Sequence, residues 1–134
     1  MLKTVGNLAI DGVFTPVAYG SSSAGSGTYS AQTGRYTRIG NRVFFDLYIA
    51  WSAHTGTGSL RISGLPFTVN ATLSSACSAV ANGITLTALN YLQPLINQNS
   101  DSIFLYQYPV GGGSPTETTM DTSGGLWISG SYGV

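Results

Sequence analysis

GRYTRIGNRVFFDLYIAW, residues Gly34 to Trp51, alternates with period two from Arg42 onward. Val43, Phe45, Leu47, Ile49 and Trp51 fall on one face; Arg42, Phe44, Asp46, Tyr48 and Ala50 fall on the other. A strand points successive side chains to opposite faces, so the first set can fill a core while the second faces outward. A helix would smear the five apolar residues around its circumference, so the stretch reads as a strand. A shorter partner, Arg35 to Ile39, precedes it across Gly40-Asn41. Glycine at the first central position of a two-residue primed turn accepts the positive φ needed there. That turn pairs Arg35 with Asp46 and Tyr36 with Phe45. A three-residue bulged loop would shift the register by one and break the Arg35–Asp46 pair. The two-residue version is expected.

Around this hairpin lie 134 residues, enough for one domain with one core. Five basic and five acidic side chains give a formal net charge of zero, and only 7% of residues are charged, against roughly a quarter in a typical soluble domain. Nucleic-acid binding is not expected, because neutralising phosphates needs clustered Lys and Arg. Self-association meets little repulsion. Neutral partners such as sugars, or copies of the same chain, fit this balance better than polyanions. Cys77 is the only cysteine, so no intrachain disulfide is possible. Met1-Leu2-Lys3-Thr4 leads into no long apolar run, so no signal peptide is expected. No run approaches the ~20 apolar residues of a membrane helix, and membrane insertion is not expected.

Taken in order, residues 1–11 read as a lead-in and 12–134 as a single β-sandwich domain. Asp11-Gly12 reads as a turn. Val13 to Tyr19 is strand-like, with Pro16 marking an edge because proline lacks the ladder N–H. Gly20 to Gly27, GSSSAGSG, reads as an exposed flexible loop. Ser52 to Gly58, SAHTGTG, reads as a loop carrying the only histidine, His54. Leu60 and Ile62 alternate with polar neighbours in a short strand. Asn82-Gly83 is the strongest short-range hairpin signal, since both central residues of a type I′ turn need positive φ. Folding there pairs Ala81 with Ile84, Ala79 with Leu86 and Cys77 with Ala88 on one apolar face, joined by Leu73. Tyr91 to Ile96 and Ile103 to Tyr108 flank a polar turn, with Pro94 suggesting another edge. Pro109 to Gly125 reads as a long loop without period. Leu126 to Val134 is a final strand, with Leu126 and Ile128 opposite Trp127 and Ser129. No helix is convincing. About eight or nine short strands between turns argue for an all-β, antiparallel two-sheet sandwich, and long crossing loops favour a jelly-roll-like arrangement.

The catalytic inventory is thin, and no enzyme is expected. His54 has no adjacent acid and sits in a Gly/Thr loop, so it reads as a solvated loop residue rather than a general base. Cys77 falls on a core face and reads as a buried inert thiol. Ligands for a metal are too few and scattered, and no cofactor is implied. Glu117 and Asp121 share a loop and form the one conceivable hydrolytic pair, though carboxylates in a Thr-rich loop are usually solvated.

The outward faces carry an excess of aromatics: Phe44, Tyr48, Phe104, Tyr106, Tyr108 and Trp127. Either a second chain covers them, or they stack on sugar C–H surfaces while nearby polar groups bind hydroxyls. Phe44 lacks a polar tip, and large exposed apolar patches are rare on monomers, which favours a subunit interface. Phe44, Tyr48 and Phe104 are therefore expected at an interface, and Tyr106, Tyr108, Trp127, Asp121 and His54 at a glycan site.

One resemblance adds to this. FTPVAYGSSSAGSGTYSAQTGRYTRIGNRVFFDLYIAW, followed by HTGTGSLRISGLPF, resembles a domain found at the C-terminal ends of bacteriophage tail fibres and tailspikes. The most recognisable pieces are Gly34 to Asn41 with the strand after it, and Gly56-Thr57-Gly58 leading to Leu60 through Pro66. The match spans roughly Gly12 to Phe67; the second half is similar only in kind. The resemblance implies a β-sandwich tip domain, usually homotrimeric, on a virion tail appendage that binds a host cell-surface polysaccharide. It carries over no catalytic motif. A purely structural trimerisation or decoration module is the alternative, and a small glycan-cleaving enzyme a second one.

Overall fold

The structure, a computed structural model, describes residues 9–134. Its strands are β1 (Ala9–Phe14), β2 (Val17–Gly20), β3 (Gly27–Ile39), β4 (Arg42–His54), β5 (Leu60–Ser63), β6 (Ser75–Asn82), β7 (Asn90–Ile96), β8 (Ile103–Pro109), β9 (Thr116–Glu117) and β10 (Gly124–Gly133). The described residues contain no helix. Most of residues 1–11, the expected lead-in, lie outside the described residues. Its last three, Ala9 to Asp11, are in β1, and Asp11-Gly12 pairs with Thr37 and Tyr36 instead of turning.

The β3–β4 hairpin forms in the expected register. Arg35 lies opposite Asp46, Tyr36 opposite Phe45 and Ile39 opposite Arg42, with Gly40 at φ 58° in the turn. Val43, Phe45, Leu47, Ile49 and Trp51 are all buried. Each such side chain contributes about 1.5–3 kcal/mol through removal from water.

Hydrogen bonding runs through one antiparallel sheet in the order β1-β3-β4-β10-β6-β7-β8-β5-β2, with β9 beside β8. The two ends of that order, β1 and β2, are consecutive in the chain and separated only by Thr15-Pro16. The sheet therefore curls until its ends meet, and Pro16 sits at the seam where no ladder N–H is required. Side chains of β3 close the seam: Gln32 Nε2 donates to Pro16 O at 2.9 Å, and the Tyr29 hydroxyl bonds Ala18 N and O at 3.1 and 3.2 Å. Both walls of the curl feed one core, with Leu126, Ile128 and Tyr132 from β10 meeting Leu60, Ile62, Ile96, Ile103 and Leu105 from the other side. The antiparallel all-β expectation stands; where two separate sheets were expected, β6 links the walls. Its Cys77–Asn82 portion pairs with β10, and its first two residues pair with β7. That second ladder stops where Pro94 would have to donate, and Gln93 Nε2 bridges the gap to Cys77 O at 2.8 Å.

The expected hairpin about Asn82-Gly83 does not form. Gly83 takes positive φ but Asn82 does not, so a type I′ turn is absent. Ala81 and Ala79 pair instead with Leu126 and Ile128 of β10. A partner carrying Leu126, Trp127 and Ile128 buries more apolar area than the Thr-alternating stretch after Gly83 could. Leu73, expected on the core face, is exposed. Cys77 is buried as expected, and desolvation pushes its thiol up to about 12.

Two stretches expected as loose loops are tied down. Pro109 to Gly125 contains β9, and Thr118 then wedges between β5 and β8: its N–H donates to Leu105 O at 2.8 Å, and its C=O accepts from Leu60 N at 2.7 Å. The GSSSAGSG segment interlocks with Thr55 to Ser59. Ser22 N donates to Thr57 O at 3.0 Å, Thr57 N to Ser23 O at 3.0 Å, and Thr55 N to Ser26 O at 3.1 Å. Gly25 has φ 71°, and a Cβ there would collide with the backbone of Gly56. Gly25→Ala should cost about 2–4 kcal/mol in urea denaturation, combining left-handed strain with overpacking. Gly111→Ala, at φ 100° but in open space, should cost only about 1–2 kcal/mol. Equal costs would mean that the interlock does not constrain the backbone.

Candidate functional site

The alternation that fills the core also sets the outer faces, and aromatic side chains gather on both walls. On the first wall, register places Trp127 of β10 between Tyr48 of β4 and Val80 of β6. The Tyr48 and Trp127 rings stack with centroids 4.5 Å apart and planes 6° from parallel, a pair worth about 0.5–1.5 kcal/mol beyond its burial. Phe44 lies on the same face, two residues from Asp46 and four from Tyr48. Val80 is 64% exposed, Phe44 47% and Trp127 44%. Beside Phe44 runs an open trough of about 560 Å³ bordered by Asp11, Arg35, Thr37, Asp46 and Ser129. Thr37 Oγ1 donates to Asp11 Oδ1 at 2.7 Å along it.

The second wall differs in chemistry. Tyr91 of β7 and Tyr108 of β8 are cross-strand neighbours whose rings stack at 5.9 Å and 21°. Phe104 and Tyr106, two residues apart on β8, are near-parallel at 6.3 Å and 16°. The guanidinium of Arg61 lies 4.3 Å over the Phe104 ring. From there its Nε and Nη2 donate to the two oxygens of Glu117 at 2.9 and 3.0 Å. β9 makes this possible, because pairing Glu117 with Tyr106 and Arg61 with Phe104 puts both charged groups on adjacent rows. Glu117 raises the guanidinium's affinity for its proton above the ordinary arginine value, against a smaller opposing effect of burial. Tyr19 of β2 completes the row next to Arg61, its hydroxyl donating to Ser102 Oγ at 3.1 Å. The rings here mostly carry hydroxyl tips; those of the first wall mostly do not.

The structure thus sorts the expected residues by wall rather than by role. Phe44 and Tyr48, expected at an interface, share their face with Trp127, expected at a glycan site. Phe104, also expected at an interface, shares its face with Tyr106 and Tyr108, and Arg61 covers it. Two others lie apart from both faces. His54, expected in a solvated loop, is the buried last residue of β4. Gly56 N donates to its Nδ1 at 2.9 Å, which leaves Nε2 as the proton-bearing nitrogen, 2.9 Å from Ala18 O. Both nitrogens are engaged by the chain itself. Asp121 is likewise a clasp, accepting from Thr85 N at 2.7 Å through Oδ2 and from Trp51 Nε1 at 3.0 Å through its carbonyl. As a hydrolytic pair, Glu117 and Asp121 are therefore each bonded to a different part of the fold.

Arg61, Tyr19 and Tyr91 were missing from the expected site. Alternation in LRIS already turns Arg61 outward, and the same rule applies to Tyr91. Nothing local signals the Arg61–Glu117 pair, which joins residues 56 apart. Among the described residues no group of three or more His, Cys, Asp or Glu gathers where a metal could bind.

No protein-family model matches the sequence, and no curated protein matches it significantly. Among solved structures, the crystal structure of Dettilon tailspike protein (gp208) is similar, with a TM-score of 0.73 and 26% identity. The likeness covers 93% of this chain and 24% of that one, so the chain spans about a quarter of the tailspike's length. The expected resemblance therefore holds at the level of a tailspike-related domain, and the likeness supports a phage tail-associated role.

Proposed function

We propose that the chain is a non-enzymatic receptor-binding tip domain of a phage tail fibre or tailspike. In this reading it is a jelly-roll-like body that binds a host cell-surface polysaccharide and holds its appendage together as a homotrimer on the virion. The observation that carries the reading is the division of aromatic chemistry between the walls. Val80, Phe44 and Trp127 on the first wall are apolar, outward and solvated in a single chain, the condition that a sister subunit relieves. Trp127 is accordingly assigned to the interface with Phe44 and Tyr48. On the second wall Tyr106, Tyr108 and Tyr91 offer ring faces for sugar C–H surfaces together with hydroxyls for sugar oxygens, beside Tyr19 and fixed charged donors and acceptors. Phe104 belongs to that wall as the ring that seats Arg61.

Two measurements test this. Light scattering of the purified chain should give three times the monomer mass at micromolar concentration. A glycan array should show binding to bacterial surface polysaccharides, weakened about 10-fold or more in Tyr106→Ala and Tyr108→Ala with the oligomer intact, as expected for loss of about 1.4 kcal/mol or more of contact. Assembly without glycan binding would leave a structural trimerisation or decoration module. A monomer would remove the assembly reading.

A further inference from the structure

Resting on the glycan reading of the second wall, we propose that the Arg61–Glu117 pair makes this site selective for neutral over acidic sugars. An acidic glycan is favoured most by a cation with an unengaged charge, because charge-assisted hydrogen bonds are the strong ones. Among the described residues Arg61 is the basic residue on the rows crossing this face, and both oxygens of Glu117 already face it at 2.9 and 3.0 Å. The pair is not sealed away: the Arg61 and Glu117 side chains are 26% and 22% exposed. A guanidinium has five N–H groups, and Glu117 takes two of them; each carboxylate oxygen keeps lone-pair capacity after accepting one bond. The pair therefore presents donors and acceptors side by side, with net charge zero, next to the Tyr106 ring. Vicinal hydroxyls of a neutral sugar match that arrangement, since each can donate to one partner and accept from the other. A carboxylate or sulfate accepting from the remaining N–H groups would meet a guanidinium whose charge Glu117 already neutralises, and would lie beside Glu117's own charge while doing so. The guanidinium has a second hold as well, seated 4.3 Å over the Phe104 ring.

The test uses the intact chain and two probe sets: neutral gluco-, galacto- and manno-oligosaccharides, and acidic oligogalacturonates and sialylated oligosaccharides. Wild type should bind members of the neutral set at least 10-fold more tightly than any acidic one. E117Q leaves Arg61 unpaired and should shift the neutral-to-acidic affinity ratio by 10-fold or more toward acidic sugars. R61Q leaves Glu117 unpaired and should shift the ratio the other way, so the proposal stays testable if one single variant fails to fold. The R61Q/E117Q double variant removes both charges and should return toward the wild-type preference. Acidic probes bound as tightly as neutral ones by wild type would overturn the proposal and leave the glycan reading standing. So would an affinity ratio unmoved in both single variants. Silence of the wild type to both sets would overturn the two together.

Discussion

Trp51→Ala should destabilise the chain by about 3–5 kcal/mol, with a fall of roughly 10 °C or more in melting temperature. Trp51 is 3% exposed, so truncation leaves a large void inside the first wall. The indole does more than fill space. Its Nε1–H donates to Asp121 O at 3.0 Å, anchoring the segment that leads into β10. The ring meets His54 edge-on at 6.4 Å, and His54 in turn holds Ala18 of β2 through Nε2. One side chain thus braces the last strand and the β2 seam. Trp51→Phe keeps most of the burial and loses the hydrogen bond, so it should cost about 1–3 kcal/mol. Urea or thermal denaturation of both variants checks the ordering. A Trp51→Ala chain within about 1 kcal/mol of wild type would mean that the core is not organised around this residue.

The two tryptophans also show which features of the fold are legible in sequence. Period-two alternation alone separates Trp51 from Trp127: one lies with Ile49 and Leu47, the other opposite Leu126 and Ile128. The same rule gave the β3–β4 register, because a two-residue turn leaves no freedom in how the strands face. It failed at Asn82-Gly83, where a local turn signal competed with a distant partner. Strand pairing between residues 77 and 130 leaves no mark at either end of the chain that a local rule can read. Glycine-rich stretches mislead in a different way. Composition says that GSSSAGSG has no side chains to bury, which is true, but its backbone groups can still find partners. Small residues let Gly25 and Gly56 approach too closely for any Cβ, and what reads as slack is a tight backbone contact. The candidate site was half legible for the same reasons. Alternation identified the outward rings of β4, β8 and β10, whereas the ionic centre at Arg61 depends on β9, a two-residue strand inside a stretch without period.

If the first wall is the interface of the proposed homotrimer, Val80→Glu should abolish assembly while leaving the single chain folded. Val80 projects from β6 next to Trp127 and is 64% exposed, so a carboxylate there costs an isolated chain little, within about 0.5 kcal/mol for a surface change away from special features. In a closed homotrimer the same substitution enters the interface three times. Each copy would bring an unpaired carboxylate against Trp127, Tyr48 or their counterparts, at several kcal/mol apiece. Since about 1.4 kcal/mol is a tenfold change in association, dissociation at micromolar concentration is expected, with a melting temperature that no longer depends on protein concentration. Val110→Glu provides the control, because Val110 is 71% exposed just beyond β8, away from the first wall. It should leave the oligomer intact. A trimer that survives Val80→Glu would place its contacts elsewhere, and the second-wall tyrosines would then become the candidates for subunit burial, in competition with the glycan assigned to them.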